Sequence, residues 1–276
     1  MSVKVFIDGS SGTTGLRIAD RLAARPDIEL LSISAEGRKD VNERAKVINS
    51  ADLAFLCLPD AASKEVMPLL RPDVKVLDTS TAFRTDAAWD YGFPELKGQK
   101  EKIKNSCRVA VPGCYASGFI SIMRPLVELG LAGAGDFYSC TGISGYSGGG
   151  KKMIAEYRAP ERSPLLNAPR QYALGQTHKH LKEMKAVTGL ASEPVFCPVV
   201  ADFYSGMQVT VPLFAGWLKP GAGMEEVKNA YKALYTGPVV SYTDAADEGG
   251  FLSAAAQSGL DSMKTVSYTH LTLPTT

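Results

Sequence analysis

Residues 3–22 limit the possible folds of this chain more than any other stretch. Val3-Lys4-Val5-Phe6-Ile7 is a short, mainly apolar run that reads as a buried strand. It leads through Asp8 into Gly9-Ser10-Ser11-Gly12-Thr13-Thr14-Gly15. Leu16, Ile18, Ala19 and Leu22 then fall on one helical face. Strand, glycine-rich turn and amphipathic helix form the opening unit of an alternating α/β pattern. The glycines let the backbone approach a pyrophosphate, and the helix N-terminus favours its charge. The spacing is GxxGxxG rather than GxGxxG, so its meaning comes from the flanking strand and helix. Gly9, Ser11, Gly12, Thr13, Thr14 and Gly15 are therefore candidate dinucleotide ligands. The competing reading is an ordinary βα turn.

The next segments continue the pattern. Ile28–Ile33 reads as a second strand, followed by Ser34-Ala35-Glu36-Gly37-Arg38-Lys39. An acid at such a place suits the ribose hydroxyls of NAD, and a base suits the 2′-phosphate of NADP. Arg38 and Lys39 favour NADP, while Glu36 points the other way. Leu53–Leu58 is a continuous apolar run of the kind buried on both faces of a parallel sheet, with Cys57 inside it as core. Val74–Leu77 is a further strand, ending in Asp78-Thr79-Ser80-Thr81-Ala82-Phe83-Arg84. Ligands of open α/β sheets sit beyond the C-terminal strand ends, so these hydroxyls and Arg84 are placed to hold an anion. A capped turn with a surface arginine is the alternative.

The stretch with the most chemical content is Val109-Ala110-Val111-Pro112-Gly113-Cys114-Tyr115. Pro112 and Gly113 end a short strand that begins near Cys107. Phe119, Ile122, Met123, Leu126 and Leu129 then follow at helical spacing. Cys114 thus sits where a strand turns into a helix. Unpaired backbone N–H groups and the positive end of the helix dipole favour a thiolate there. It is either a nucleophile or a small buried hydrophobe.

Asp136–Ile143 reads as a strand that runs into Ser144-Gly145-Tyr146-Ser147-Gly148-Gly149-Gly150-Lys151-Lys152. Backbone N–H groups, hydroxyls and ammonium groups make this a nest for an oxyanion, unless it is a plain flexible loop. In His178-Lys179-His180-Leu181-Lys182-Glu183-Met184, the spacing of Leu181, Met184 and Val187 predicts a helix. On it His180 and Glu183 share a face, and a carboxylate beside an imidazole orients it and raises its pKa. His180 is either an acid/base partner of Cys114 or a surface histidine. HxH lacks further ligands at a usual spacing, so no metal site is expected. Met207–Leu213 alternates like a half-buried antiparallel strand, and Glu225–Tyr235 reads as an amphipathic helix.

Composition excludes several classes of function. The net charge of +1, with both signs mixed, gives no track for nucleic acid or an anionic membrane surface. No apolar run approaches a membrane span, and the N-terminus has no signal-peptide pattern. Five scattered cysteines without CxxC argue against a disulfide framework or a zinc site, and a reducing cytoplasm fits.

Several motifs stand together in a specific order. They are Phe6-Ile7-Asp8-Gly9 with Gly12-Thr13-Thr14-Gly15-Leu16, Asp78-Thr79-Ser80-Thr81-Ala82, Tyr91-Gly92-Phe93 and Pro112-Gly113-Cys114-Tyr115. Ser144-Gly145-Tyr146 with Gly148-Gly149-Gly150-Lys151, and His178-Lys179-His180 with Glu183-Met184, complete the set. In these the chain resembles the N-acetyl-gamma-glutamyl-phosphate reductases of arginine biosynthesis, in their shorter form. Ser117 stands where that family commonly has threonine. The resemblance implies an α/β fold: a Rossmann-type doubly wound parallel sheet plus an α+β catalytic and dimerisation domain with a mainly antiparallel sheet. Expected boundaries are 1–113 for the NADP-binding domain and 114–264 for the catalytic domain. Residues 265–276 form an atypical tail that does not match the family, with the family's C-terminal elements missing.

The resemblance also implies the reaction, NADPH-dependent reduction of N-acetyl-glutamyl 5-phosphate to the 5-semialdehyde through a Cys114 thioester. His180 and Glu183 would be its acid/base pair. Arg38 and Ser80 join the glycine-rich turn as cofactor residues. Arg84, Ser144, Gly145 and Lys151 are expected at the phosphate or substrate carboxylate, and no metal is expected. A homo-oligomer, dimer or tetramer, is implied. The rival readings are an aspartate-semialdehyde dehydrogenase-like enzyme and a non-enzymatic NADP-binding protein.

Overall fold

Six parallel strands organise the first of two units into which the chain divides, Met1–Gly113 and Cys114–Thr276. The structure, a computed structural model, describes residues 2–10 and 13–268. Ser11, Gly12 and residues 269–276 lie outside the described residues.

The first unit alternates as its apolar runs require: β1 (Val3–Asp8), α1 (Thr13–Ala23), β2 (Ile28–Leu31), α2 (Val41–Ser50), β3 (Leu53–Leu56), α3 (Asp60–Val66) and β4 (Lys75–Asp78). The short β5 (Asp90–Tyr91), α4 (Gln99–Asn105) and β6 (Arg108–Ala110) complete it. The sheet order is β2-β1-β3-β4-β6-β5, and every pairing is parallel. Strand order reverses at β1/β3, the position where such sheets hold ligands. Phe6, Ile48, Leu56, Val66 and Val76 fill the core, each at 1% exposure or less. Full burial of such a side chain contributes about 1.5–3 kcal/mol. The Asp40 side chain caps α2 by accepting from Asn42 N at 2.7 Å and Glu43 N at 3.3 Å. β2 ends at Leu31, two residues short of the expected Ile33, where Ser32 leaves the sheet. Cys57 lies just past β3 and is half-buried rather than core.

The second unit runs α5 (Cys114–Glu128), β7 (Ser139–Gly145), α6 (Gly150–Arg158), β8 (Arg170–Gln171), α7 (His180–Thr188), β9 (Val195–Ala201) and β10 (Met207–Thr210). Then follow α8 (Met224–Leu234), β11 (Val240–Tyr242) and β12 (Met263–Thr265). Its four-stranded sheet has the order β10-β7-β9-β8. Met207–Thr210 does pair antiparallel with β7, and β8 pairs antiparallel with β9. The long central β7–β9 ladder is parallel, so the sheet is mixed. The chain between those two strands is long enough for the crossover that a parallel pair needs.

Phe119, Met123 and Leu126 of α5 are fully buried, whereas Leu129 falls beyond the helix end and is 56% exposed. Gly118 lets α5 approach β10: a Cβ there would lie 2.6 Å from Val209 Cγ2. The tail expected from residue 265 onward begins inside ordered structure. Thr265 ends β12, paired with Tyr242, and the Tyr268 hydroxyl donates to Asp247 Oδ1 at 2.7 Å.

Candidate active site

In the first unit, the strand ends are built for close backbone approach. Gly9 follows β1 at φ +89°, and a Cβ there would meet Cys57 O at 2.4 Å. A Cβ on Gly15 would meet Gly9 O at 2.4 Å, so only glycine lets the first turn of α1 settle on this turn. Glycine is needed here because backbone packs directly on backbone, the tight strand-to-helix turn that the glycine spacing implied. Thr13 and Thr14 open α1, where a helix N-terminus favours an anion. Asp8 ends β1 and is held by Arg44 of α2, Nε to Oδ2 at 2.8 Å, with both side chains buried. Burial raises the Asp8 pKa, against the lowering effect of Arg44.

The loop after β4 is tied down residue by residue. Ser80 donates to Asp78 Oδ2 at 2.5 Å, and Ser80 Oγ accepts from Ala82 N at 3.1 Å. Thr79 N donates to Leu56 O, and Thr81 N to Asp60 Oδ1, each at 2.9 Å. Arg84 is half-buried rather than a surface side chain, and donates to Val111 O and Thr79 O, both at 2.9 Å. The Ser80 hydroxyl is thus engaged within the protein. Arg38 lies exposed on the short helical turn Gly37–Lys39.

In the second unit, Cys114 is the first residue of α5 and the one exposed cysteine of the five. Two of the others are poorer nucleophiles. Burial pushes the Cys140 thiol up to about 12 and the Cys57 thiol up to about 11. Cys114 instead sits in the first turn of a 15-residue helix, where the dipole favours a thiolate.

Around it lies an aromatic and hydroxyl cluster that the sequence did not reveal. The Tyr115 ring is 3% exposed and lies on Gly142 of β7, whose Cβ would meet the ring at 2.5 Å. Its centroid lies 5.1 Å from Phe196, 6.1 Å from His178 and 6.2 Å from His180. Its hydroxyl donates to Ser144 Oγ at 2.7 Å. Burial raises the pKa of both Tyr115 and Tyr172, and the charge of Cys114 acts further in the same direction on each.

His180 opens α7 at 4% exposure and Glu183 is 1% exposed, so neither is a surface residue. His178 is half-buried, and its ring lies 4.6 Å from that of His180. His178 Nδ1 accepts from His180 N at 3.2 Å, which leaves the ring proton on Nε2. Burial, with Lys179 beside it, lowers the His178 pKa. The sequence reading singled out His180 through its i,i+3 spacing to Glu183. His178 and Tyr172 had no such local signal.

The loop after β7 departs from the expected nest. Gly145 N donates to Gly206 O at 3.1 Å, and Tyr146 N and Ser147 N donate to Phe203 O and Tyr204 O at 2.9 Å. Those three N–H groups are engaged and form no anion nest. Gly145 itself is required for space: a Cβ would meet Phe203 O at 2.6 Å. Ser144 stands just before this braced stretch, and Lys151 follows it in the first turn of α6.

Comparison with known proteins decides the family. The "Semialdehyde dehydrogenase, NAD binding domain" model matches residues 4–106, and the "Semialdehyde dehydrogenase, dimerisation domain" model matches 114–261. An N-acetyl-gamma-glutamyl-phosphate reductase of Trichormus variabilis is 46% identical over 93% of this chain and 83% of its own length. A protein of that name from Rhizobium leguminosarum bv. trifolii is 44% identical over 96% of this chain and 87% of its own. The chain belongs to the N-acetyl-gamma-glutamyl-phosphate reductase family. That makes it an oxidoreductase with a nicotinamide-dinucleotide domain.

Solved structures agree on fold alone. A probable aspartate-semialdehyde dehydrogenase from Pseudomonas aeruginosa superposes with a TM-score of 0.68 at 15% identity, covering 96% of this chain and 88% of its own. The Francisella tularensis aspartate semialdehyde dehydrogenase gives 0.66 at 15% identity over 96% and 89%. No helix of the described residues is long and apolar enough to cross a membrane.

Proposed function

We propose that this chain reduces N-acetyl-L-glutamyl 5-phosphate to N-acetyl-L-glutamate 5-semialdehyde with release of phosphate, a step of arginine biosynthesis. The observation that carries the reading is an exposed Cys114 at a helix N-terminus, followed by Tyr115, whose ring packs near two imidazoles and whose hydroxyl bonds Ser144, in a chain with reductase relatives. The Cys114 thiolate attacks the acyl carbon, the carbon–oxygen bond to phosphate breaks, and phosphate leaves with the electron pair. A thioester remains on Cys114. NADPH supplies the hydride that this acyl carbon accepts. The resulting oxyanion exchanges a proton with an imidazole, and once that proton has returned to the imidazole the carbonyl re-forms as the carbon–sulfur bond breaks, which releases the aldehyde and restores the thiolate.

His180, oriented by Glu183, is the acid/base residue expected from spacing. His178, with its proton on Nε2, is the donor that the hydrogen bonding favours. Arg84, Ser144 and Lys151 are assigned to the phosphate and carboxylate of the substrate, with Gly145 bracing the loop beside the latter two against Phe203 and Tyr204. Gly9, Ser11, Gly12, Thr13, Thr14 and Gly15 would hold the pyrophosphate, with Ser80 on the loop after β4 beside the cofactor. Arg38 would hold the 2′-phosphate, which makes NADP the cofactor.

The reading extends to a homo-oligomer in the cytoplasm. The family model of the second unit is a dimerisation domain, and Phe137, Phe214 and Phe251 are exposed on that unit. Light scattering on the purified chain tests this, with a mass of at least twice 29.5 kDa expected.

The experiment for the reaction is phosphate-dependent reduction of NADP with each of two semialdehydes. Turnover with N-acetyl-glutamate semialdehyde and little with aspartate semialdehyde is expected. The reverse preference would assign the aspartate enzyme. Cofactor binding without turnover on either would assign a binding protein.

A further inference from the structure

We propose that Tyr115 is a positioning residue that aims the Ser144 hydroxyl proton at the oxyanion formed on Cys114. The inference rests on the function proposed above and assigns the donor that stabilises its tetrahedral stages.

The argument begins with how firmly the phenol is held. Tyr115 is buried, its ring lies against the backbone of Gly142, and Phe196 meets it edge-on at 5.1 Å. No side chain larger than hydrogen fits at Gly142 without displacing this ring. The Tyr172 hydroxyl reaches the Tyr115 hydroxyl as well, and beyond it the one phenol proton has Ser144 Oγ at 2.7 Å and Val199 O at 3.4 Å within reach. The nearer one takes it. Ser144 Oγ then uses a lone pair on the phenol, and its own proton points away from Tyr115. The charge of Cys114 acts on the phenols of Tyr115 and Tyr172, which puts the hydroxyl that Tyr115 orients in the Cys114 neighbourhood.

The chain of hydroxyls continues behind Tyr115. The Tyr172 hydroxyl is close enough to interact with that of Tyr115. Its ring packs 5.9 Å from His178. Hydroxyls in series polarise one another, so each strengthens the next as a donor. Burial is the largest effect on both phenols and raises the pKa of each; hydrogen bonds to Ser144 and Tyr172 act the other way on Tyr115, and the charge of Cys114 adds a smaller upward push on both. Ser144 ends the relay. When the thioester accepts hydride, or when the thiolate first attacks, the acyl oxygen becomes an anion. A fixed O–H aimed at that oxygen stabilises it without reorganising. No proton leaves Ser144 in this role. The hydrogen bond strengthens as the charge develops and weakens as the carbon–oxygen double bond re-forms.

The test compares the full chain with Tyr115→Phe, Ser144→Ala and the double variant in phosphate-dependent NADP reduction by N-acetyl-glutamate semialdehyde. Tyr115→Phe keeps the ring and its packing. It should lower kcat about 10- to 100-fold while the KM for NADP stays unchanged. Ser144→Ala should lower kcat about 100-fold. The double variant should be no slower than Ser144→Ala alone, because Tyr115 acts through Ser144. Thermal melting and the rate of Cys114 alkylation by iodoacetamide are followed alongside, and both should stay close to wild type in Tyr115→Phe.

Effects that multiply in the double variant would overturn the proposal, as would wild-type kcat in Tyr115→Phe or a loss of rate matched by a loss of melting temperature. Absence of turnover in the wild type with both semialdehydes would instead overturn the function on which the proposal rests.

Discussion

Two glycine-rich segments look alike as sequence and behave differently in the structure. Gly9–Gly15 and Ser144–Gly150 both follow a strand, both lead into a helix, and both read as anion-binding turns. In the first, glycine is required by a positive φ at Gly9 and by backbone contacts at Gly9 and Gly15. In the second, the first three N–H groups are engaged by the carbonyls of Gly206, Phe203 and Tyr204. The first segment therefore has its two described ends, Gly9 and Gly15, packed closely on backbone. The second is a braced support that presents Ser144, the start of α6 and Lys151. A run of glycines indicates close approach but does not say to what.

Single substitutions separate the two cases. Gly9→Ala carries the largest expected effect, since it forces a Cβ into Cys57 O at φ +89°. Strain of about 3 kcal/mol should weaken NADPH binding about 100-fold, read by fluorescence titration. If binding stays at wild-type strength, the first turn is not a dinucleotide cradle.

Gly145→Ala should leave NADPH affinity unchanged and lower kcat about 10- to 100-fold, because it displaces the support of Ser144 rather than a cofactor ligand. A rise in the dissociation constant for NADPH would erase the distinction between the two segments.

A pH effect of intermediate size is expected beside the second segment. The His178 pKa is lowered in the folded state from 6.5, by burial first and Lys179 second. Below pH 6.5 the unfolded chain therefore binds more protons at this site than the folded one, and stability falls as pH falls. Melting temperature should drop between pH 7.5 and 5.5, and drop less in His178→Gln. An equal drop in both would place the acid sensitivity elsewhere.

The smallest effect is expected at Gly148, where an added Cβ would have Ser144 Oγ as its nearest contact at 4.0 Å. Gly148→Ala should change stability by no more than about 0.5 kcal/mol in urea unfolding.

Much of the first unit could be read from sequence because its signals are local. Apolar runs became parallel strands, and Cys114 stands at the start of a helix as the break at Pro112-Gly113 implied. Strand ends shifted by a residue or more, as at Leu31, because a sheet edge is set by pairing rather than by hydrophobicity. The closed loop after β7 could not be read, since its acceptors at 203, 204 and 206 are far along the chain and carbonyls carry no sequence signature. The parallel β7–β9 ladder was hidden for the same reason. Met207–Thr210 alternates correctly for its antiparallel partner but says nothing of the strand beyond.

The candidate site divides the same way. Cys114 was visible from its setting and His180 from its spacing to Glu183. Tyr172 and the His178 hydrogen bond came only with the fold. Within the first unit, the engagement of Ser80 and Arg84 with neighbouring backbone also appeared only there.

The covalent role of Cys114 is tested most directly by peptide mass mapping after incubation with N-acetyl-glutamyl phosphate in the absence of NADPH. The expected result is one acyl adduct, on the peptide that carries Cys114, absent from Cys114→Ala, with phosphate-dependent turnover lost in that variant. An adduct on another residue, or turnover retained by Cys114→Ala, would contradict it.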